Sequence, residues 1–202
     1  GYFRQMVSIV KEIDTGMTVL KRVTSEADAA YNKFLTSAMK NAAKLGSTVT
    51  DVINATSEFS KLGYNLGEAE SLGKSAVTYA NVGFMDTESA IESLSSVIQA
   101  FKINAQDSMN VVDKMNLIGN RYAIDSKGVG DALQRSASSL VAAGNDLDEA
   151  IALITAGNTV LQDPESVANG IKVIGMRIRG KLCCHHIKKL ICSHAKSEMI
   201  TI

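Results

Sequence analysis

The chain has 202 residues, 46% hydrophobic and 21% charged, with one proline and no tryptophan. That composition excludes fibrous and low-complexity classes and allows one or two domains with a sizeable core. The 21 basic and 21 acidic side chains cancel, which argues against a strongly basic nucleic-acid binder and leaves no net field to steer a charged partner. The cancellation hides a division. Residues 1–171 carry 14 basic and 20 acidic groups, and residues 172–202 carry 7 and 1.

Helices are predicted almost throughout, because apolar residues recur at intervals of three and four and little breaks the pattern. Phe3, Met6, Val10, Ile13, Met17 and Leu20 form the first stripe. Only Met6–Val10 offers a rival period-two, strand-like pattern. The second stripe is Tyr31, Phe34, Leu35, Ala38, Ala42 and Leu45, and the third is Val49, Val52, Ile53, Thr56 and Phe59. Ile91, Leu94, Ile98 and Phe101 follow, then Leu147, Ile151, Ile154 and Leu161. Each stripe is expected to give a helix with one buried face.

Start and stop signals separate the stripes. Ser25 and Asp28 are expected to open one helix and Asp86 another. Asp146 and Glu149 have capping-box spacing. Asp163-Pro164-Glu165 sets a cap residue, then proline at the first helical position, then an acid in the first turn. Gly46, Gly63, Gly83, Gly119 and Gly144 are the expected stops. Ala69, Ala90, Met109, Ala132, Ala150 and Ala168 mark successive helix openings 18 to 23 residues apart. Gly63-Tyr-Asn-Leu-Gly-Glu-Ala69 also matches Gly144-Asn-Asp-Leu-Asp-Glu-Ala150 at Gly, Asn/Asp, Leu, Glu and Ala. Units of that size, taken in pairs, suit helical-hairpin repeats. The expected fold is all-α, an array of short antiparallel helices or hairpins, possibly repeat-like.

Residues 1–182 contain neither Cys nor His, so they offer no thiol nucleophile, His-based triad or zinc set. The lack of cysteine there also excludes a disulfide-stapled secreted domain. Gly67-Glu-Ala-Glu-Ser-Leu-Gly73-Lys74-Ser75 mimics a phosphate loop, but five residues separate its glycines where the loop needs four. It also lies in a helical stripe with no strand before it. Gly128-Val-Gly130 begins a dinucleotide fingerprint, but Leu133 stands where its third glycine belongs. The scattered carboxylates suit capping better than acid–base work. Six potential ligands crowd the end: Cys183, Cys184, His185, His186, Cys192 and His194. Adjacent side chains chelate one tetrahedral ion poorly, so this is a weak metal candidate at most. No catalytic residue and no cofactor is expected. No signal peptide is apparent. The longest charge-free apolar stretch, Ala150–Gln162, has 13 residues, where a membrane span needs about 20. A soluble piece of a longer chain is the expectation.

Several blocks carry a family resemblance. They are Glu12-Ile-Asp-Thr-Gly-Met-Thr-Val-Leu-Lys-Arg-Val-Thr24, the stretch Ser60–Gly83, Ala132-Leu-Gln-Arg-Ser-Ala-Ser-Ser-Leu140, Leu147-Asp-Glu-Ala-Ile-Ala-Leu153, Gln162-Asp-Pro-Glu-Ser-Val167 and Met176-Arg-Ile-Arg-Gly180. Their order and spacing over residues 12–180 resemble the core region of tail tape-measure proteins of long-tailed bacteriophages and prophages. The resemblance implies a structural, non-enzymatic virion protein acting in tail assembly and length determination, found in the tail and, during assembly, in the bacterial host cytoplasm. It implies tail tube proteins, tail-tip proteins, tail assembly chaperones and copies of itself as partners, with no specific nucleic-acid site and no membrane span. It carries over no site residue. The expected organisation is an N-terminal helix over 1–24, a helical core module over 25–180, and an atypical, basic, poorly ordered Cys/His tail over 181–202. A frameshift or interrupted prophage gene would account for that tail. The alternatives are a non-catalytic helical-repeat scaffold that binds proteins and, with nothing in the motifs to support it, a wall hydrolase.

Overall fold

The computed structural model describes residues 2–177, with side chains from residue 4 onward. Every regular element among these residues is helical. In chain order they are α1 (Tyr2–Val23), α2 (Asp28–Leu45), α3 (Val49–Lys61), α4 (Leu66–Val82), α5 (Thr87–Phe101), a 3-10 turn (Ala105–Asp107), α6 (Ser108–Arg121), α7 (Ser126–Ala142) and α8 (Leu147–Leu161). Residues 164–177 form α9. The all-α expectation holds, and Met6–Val10 lies within α1 rather than in a strand.

Side-chain caps set most of the helix starts. Thr48, Asn65 and Asp146 each form a complete capping box, with Asp51, Glu68 and Glu149 respectively. Each box satisfies two backbone donors that the first turn leaves without partners. Asp86 and Asp125 cap α5 and α7 by accepting from Ser89 N and Gly128 N. At Asp163 the carboxylate accepts from the backbone of Glu165 and Ser166. Two expectations fail. The residue preceding α2 is Ala27, without a side-chain cap, so Ser25 does not open that helix. Gly119 is no stop either: α6 runs through it to Arg121, and the missing Cβ lets Ser126 pack where one would otherwise stand, 2.6 Å from Ser126 Oγ.

The match between Gly63–Ala69 and Gly144–Ala150 is a true structural duplication. Both turns place glycine at positive φ, +96° at Gly63 and +94° at Gly144, a conformation that glycine adopts without a Cβ penalty. Tyr64 N donates to Phe59 O, and Asn145 N donates to Leu140 O. A capping box follows at the same offset in each. The hairpin α3–α4 therefore recurs as α7–α8, 81 residues later. The copies share the turn and the cap but differ in packing, beginning at Gly73. Gly73 of α4 sits so close to α3 that a Cβ would stand 2.8 Å from Thr56 Oγ1 and 2.9 Å from Thr56 N. Ile154, fully buried, occupies the matching place on α8.

One hydrophobic core runs through the stack, from Leu20 on α1 to Ala168 on α9. Phe34, Phe59, Leu72, Tyr79, Leu94, Met115 and Leu133 are among its fully buried members or nearly so. Burying each such side chain contributes roughly 1.5–3 kcal/mol relative to leaving it in water. Polar links tie distant elements at its margins. Asn81 Nδ2 donates to Leu45 O at 2.8 Å, and Asn158 Nδ2 to Ala123 O at 2.7 Å. α9 runs alongside α7 in the same direction, with Pro164 beside Gly128 and Gly175 beside Ser139.

Candidate interaction surface

The structure turns each motif with a chemical look into packing. Gly67 to Ser75 lies inside the continuous helix α4, so it forms no loop that could aim backbone N–H groups at a phosphate. Gly128 and Gly130 lie in the first turns of α7, and Leu133 is a core residue. Gly130 is there for space: a Cβ would collide with the Tyr79 hydroxyl and stand 2.6 Å from Ser93 Oγ. Tyr79 donates to the Ser126 carbonyl at 2.8 Å, and burial raises its phenol pKa well above the usual value.

The carboxylates act locally. Hydrogen bonds from the Ser89 backbone and hydroxyl hold Asp86 below the usual carboxylate range, and Ser166 does the same for Asp163. A polar recess between α5 and α7 is lined by Glu92, Lys127, Asp131 and Arg135. There Lys127 donates to Asp131 at 2.6 Å, which raises the lysine pKa, and Arg135 pairs with Glu165 at 3.1 Å. These pairs are solvent-exposed and add little to stability. Among the described residues no group of three His, Cys, Asp or Glu side chains could hold a metal ion. Cys183, Cys184, His185, His186, Cys192 and His194 lie outside the described residues.

What the surface does offer is apolar area. The first half of α1 contradicts its expected buried face: from residue 4 to residue 12 every side chain is exposed, Met6 and Val10 included. The stripe meets the core only from Ile13, half-buried, and Gly16 is buried where α1 reaches Ile53 on α3. At the other end of the stack, Leu161 is likewise exposed rather than buried, beside Leu153 and Val160. Between α6 and α8 runs an open groove of about 500 Å³, lined chiefly by Leu117, Ile118, Tyr122, Ile151, Ala152 and Ala156. Lys114 and Asp148 pair across one end of it at 2.5 Å. Phe84, in the turn between α4 and α5, is 96% exposed and has φ of +50°.

The duplication gives the α8 face a reference. Leu72 and Tyr79 on α4 are fully buried, Tyr79 beneath α5 and α7. Ser75 is buried too, bonded to Ser108 of α6 at 2.8 Å. Their counterparts 81 residues on are Leu153, Ala156 and Val160, which are 45%, more than a third and 82% exposed. The expected α8 stripe does face the core at Ile151 and Ile154 and fails only at Leu161, while the exposed Leu153–Val160 face carried no sign in the period, which gives the angular position of a face and not what covers it.

These features define a stacked helical-hairpin protein that presents apolar helix faces. The chain belongs to the phage-related minor tail protein family, whose model matches residues 39–183. It is thus a phage tail protein. No solved structure matches it. Among the described residues no helix is long and apolar enough to cross a membrane.

Proposed function

We propose that the chain is part of a tail tape-measure protein and serves as a compact helical module of it, working in tail initiation, tail-tip attachment or contact with the tube. The observation that carries this reading is the ordered series of blocks over residues 12–180, within which the minor-tail family match falls almost entirely. Length measurement by a helix rests on its fixed rise of about 1.5 Å per residue. Here the chain reverses every 20 residues or so, and the longest helix among the described residues, α1 with 22 residues, spans only about 33 Å. A folded attachment module fits that geometry better than an extended ruler. Tail tube, tail-tip and tail-assembly chaperone proteins are the partners of this reading. The virion tail is its location, with the host cytoplasm its site of assembly. The role is structural, without catalysis.

Mass spectrometry of purified tail particles from the source strain tests it. The chain should be present in them, and its absence would overturn the reading. An in-frame deletion of residues 25–160 separates module from ruler. A module gives tails that fail to assemble or keep their length. Tails shortened in proportion to the residues removed, and otherwise intact, would refute the module.

The duplicated hairpin and the open apolar face of α8 favour one second reading, a helical-repeat scaffold that binds proteins outside the tail. Neighbouring genes decide between them: tube, tail-chaperone and distal-tail genes beside this one support the tail reading.

A further inference from the structure

We propose that the outer face of α8, with the α6–α8 groove beside it, is a self-association surface through which two copies of the chain pair about a two-fold axis with their α8 helices antiparallel. The proposal deepens the tail reading by naming the contact between copies. It is measured on the purified chain alone, so its failure leaves that reading standing.

The first support is the duplication. Every large side chain on the matching face of α4 is covered, Leu72 and Tyr79 fully. The same positions on α8 keep a helix-packing surface, with Leu153 and Val160 for anchors and Ala152 and Ala156 small enough to let another helix approach. Exposed polar faces elsewhere in the duplication show the contrast. Ile53 and Ser57 on α3 are buried beneath neighbouring helices, whereas their counterparts on α7, Gln134 and Ser138, are exposed and polar. At the Ile53/Gln134 pair the sequence turned polar where α7 meets water, and at Leu153 and Val160 it stayed apolar where α8 does. An apolar face joined to an apolar groove marks a contact surface rather than a solvated one.

The occupant follows from charge and spacing. From Ala150 to Gln162 the helix carries no charge, so two copies of this face meet without like-charge repulsion. The surface is polarised at its ends. Asp146, Asp148 and Glu149 lie at the start of α8. At the other end Asn158 binds the Ala123 carbonyl, which brings the exposed, basic end of α6 at Arg121 alongside. Lys114 pairs with Asp148 at that end, and the carboxylates still outnumber it, so antiparallel pairing lays each net-acidic end beside the other copy's Arg121 and also aligns the helix dipoles favourably. Centred between Ala156 and Gly157, the pairing sets Leu153 against the other copy's Val160 and Val160 against its Leu153, with the small residues Ala156 and Gly157 at the crossing. A large side chain thus meets a large one on each side of a centre small enough for the two helices to approach, which gives the self-complementarity that a two-fold contact requires.

Sedimentation velocity of the full chain over a concentration series tests the proposal. The wild-type chain should show a concentration-dependent dimer. Val160→Asp and Leu153→Asp should each weaken it about tenfold or more, and Val10→Asp, on the exposed arm of α1, should leave it unchanged. Circular dichroism checks that the variants stay folded. A chain that is monomeric throughout overturns the proposal, as do α8 variants that dimerise like wild type or an effect confined to Val10→Asp. Orientation has its own test. Arg121→Glu and Asp148→Lys chains should each dimerise weakly alone and recover dimerisation when mixed. No recovery on mixing overturns the antiparallel arrangement.

Discussion

The hydroxyl of Tyr79, on α4, donates to the carbonyl of Ser126, on α7, across 47 residues of sequence at 2.8 Å. The phenol reaches that carbonyl only because Gly130, one turn further along α7, has no side chain in its path. Tyr79→Phe should cost about 1–2 kcal/mol, since it removes a buried hydrogen bond that ties α4 to α7. Gly130→Ala should cost about 1–3 kcal/mol by overpacking against the hydroxyl and Ser93. The two changes share a space, so the double variant should lose less than the sum of the singles. Urea denaturation of the four chains measures the coupling, and strict additivity would mean that the hydroxyl and the glycine do not depend on each other.

Gly73 fixes the spacing of the first hairpin. A methyl group there would press on the backbone nitrogen of Thr56 at 2.9 Å, and backbone cannot swing aside as a side chain can. Gly73→Ala should therefore destabilise the chain by about 1–3 kcal/mol despite the better helix propensity of alanine. Gly67→Ala, in the same helix but with its nearest foreign neighbour at 3.5 Å, should be neutral or stabilising. Thermal midpoints of the two variants give the comparison.

These two glycines show which parts of the fold were legible in sequence. Helix existence and the caps at Asp86, Asp146 and Asp163 could be read because they depend on residues three or four apart. The repeat could be read because Gly63 and Gly144 head the same local turn. The role of Gly73 could not, since its neighbour Thr56 lies on another helix and the local string looks like half a phosphate loop. The turn conformation at Phe84 and the helix caps at Lys102 and Gln162 were missed for another reason. All three adopt positive φ without being glycine, so composition gives no sign of them. The interaction surface was the least legible feature. The Leu147–Leu161 stripe marks the core face through Ile151 and Ile154, whereas Leu153 and Val160 lie on the other side of the helix, where only comparison with the buried Leu72 and Tyr79 of α4 shows a face left uncovered.

Phe84 combines a left-handed backbone with an almost fully exposed ring. That backbone region costs an ordinary L-residue roughly 1 kcal/mol, and an exposed ring regains nothing from burial. Phe84→Gly should therefore stabilise the isolated chain by up to about 1 kcal/mol in chemical denaturation. Phe84→Val, β-branched at the same backbone angle, should destabilise it. A loss of stability in Phe84→Gly would show that the ring makes a contact in solution which offsets its strain.

Acid sensitivity should begin at two helix starts. The carboxylates of Asp86 and Asp163 are held below the usual range, chiefly by hydrogen bonds from Ser89 and Ser166. Because the folded pKa is depressed, the stability these groups supply is fully present above the unfolded value of about 3.9. It is lost as pH falls through the lower, folded value, when protonation removes the charged acceptor. Asparagine keeps a side-chain oxygen for the cap but does not titrate. The Asp86→Asn, Asp163→Asn chain should consequently lose less stability than wild type between about pH 6 and about pH 2, measured by urea midpoint. Equal losses in the two chains would place the acid response in other carboxylates. A larger loss in the double variant would contradict the depressed values themselves.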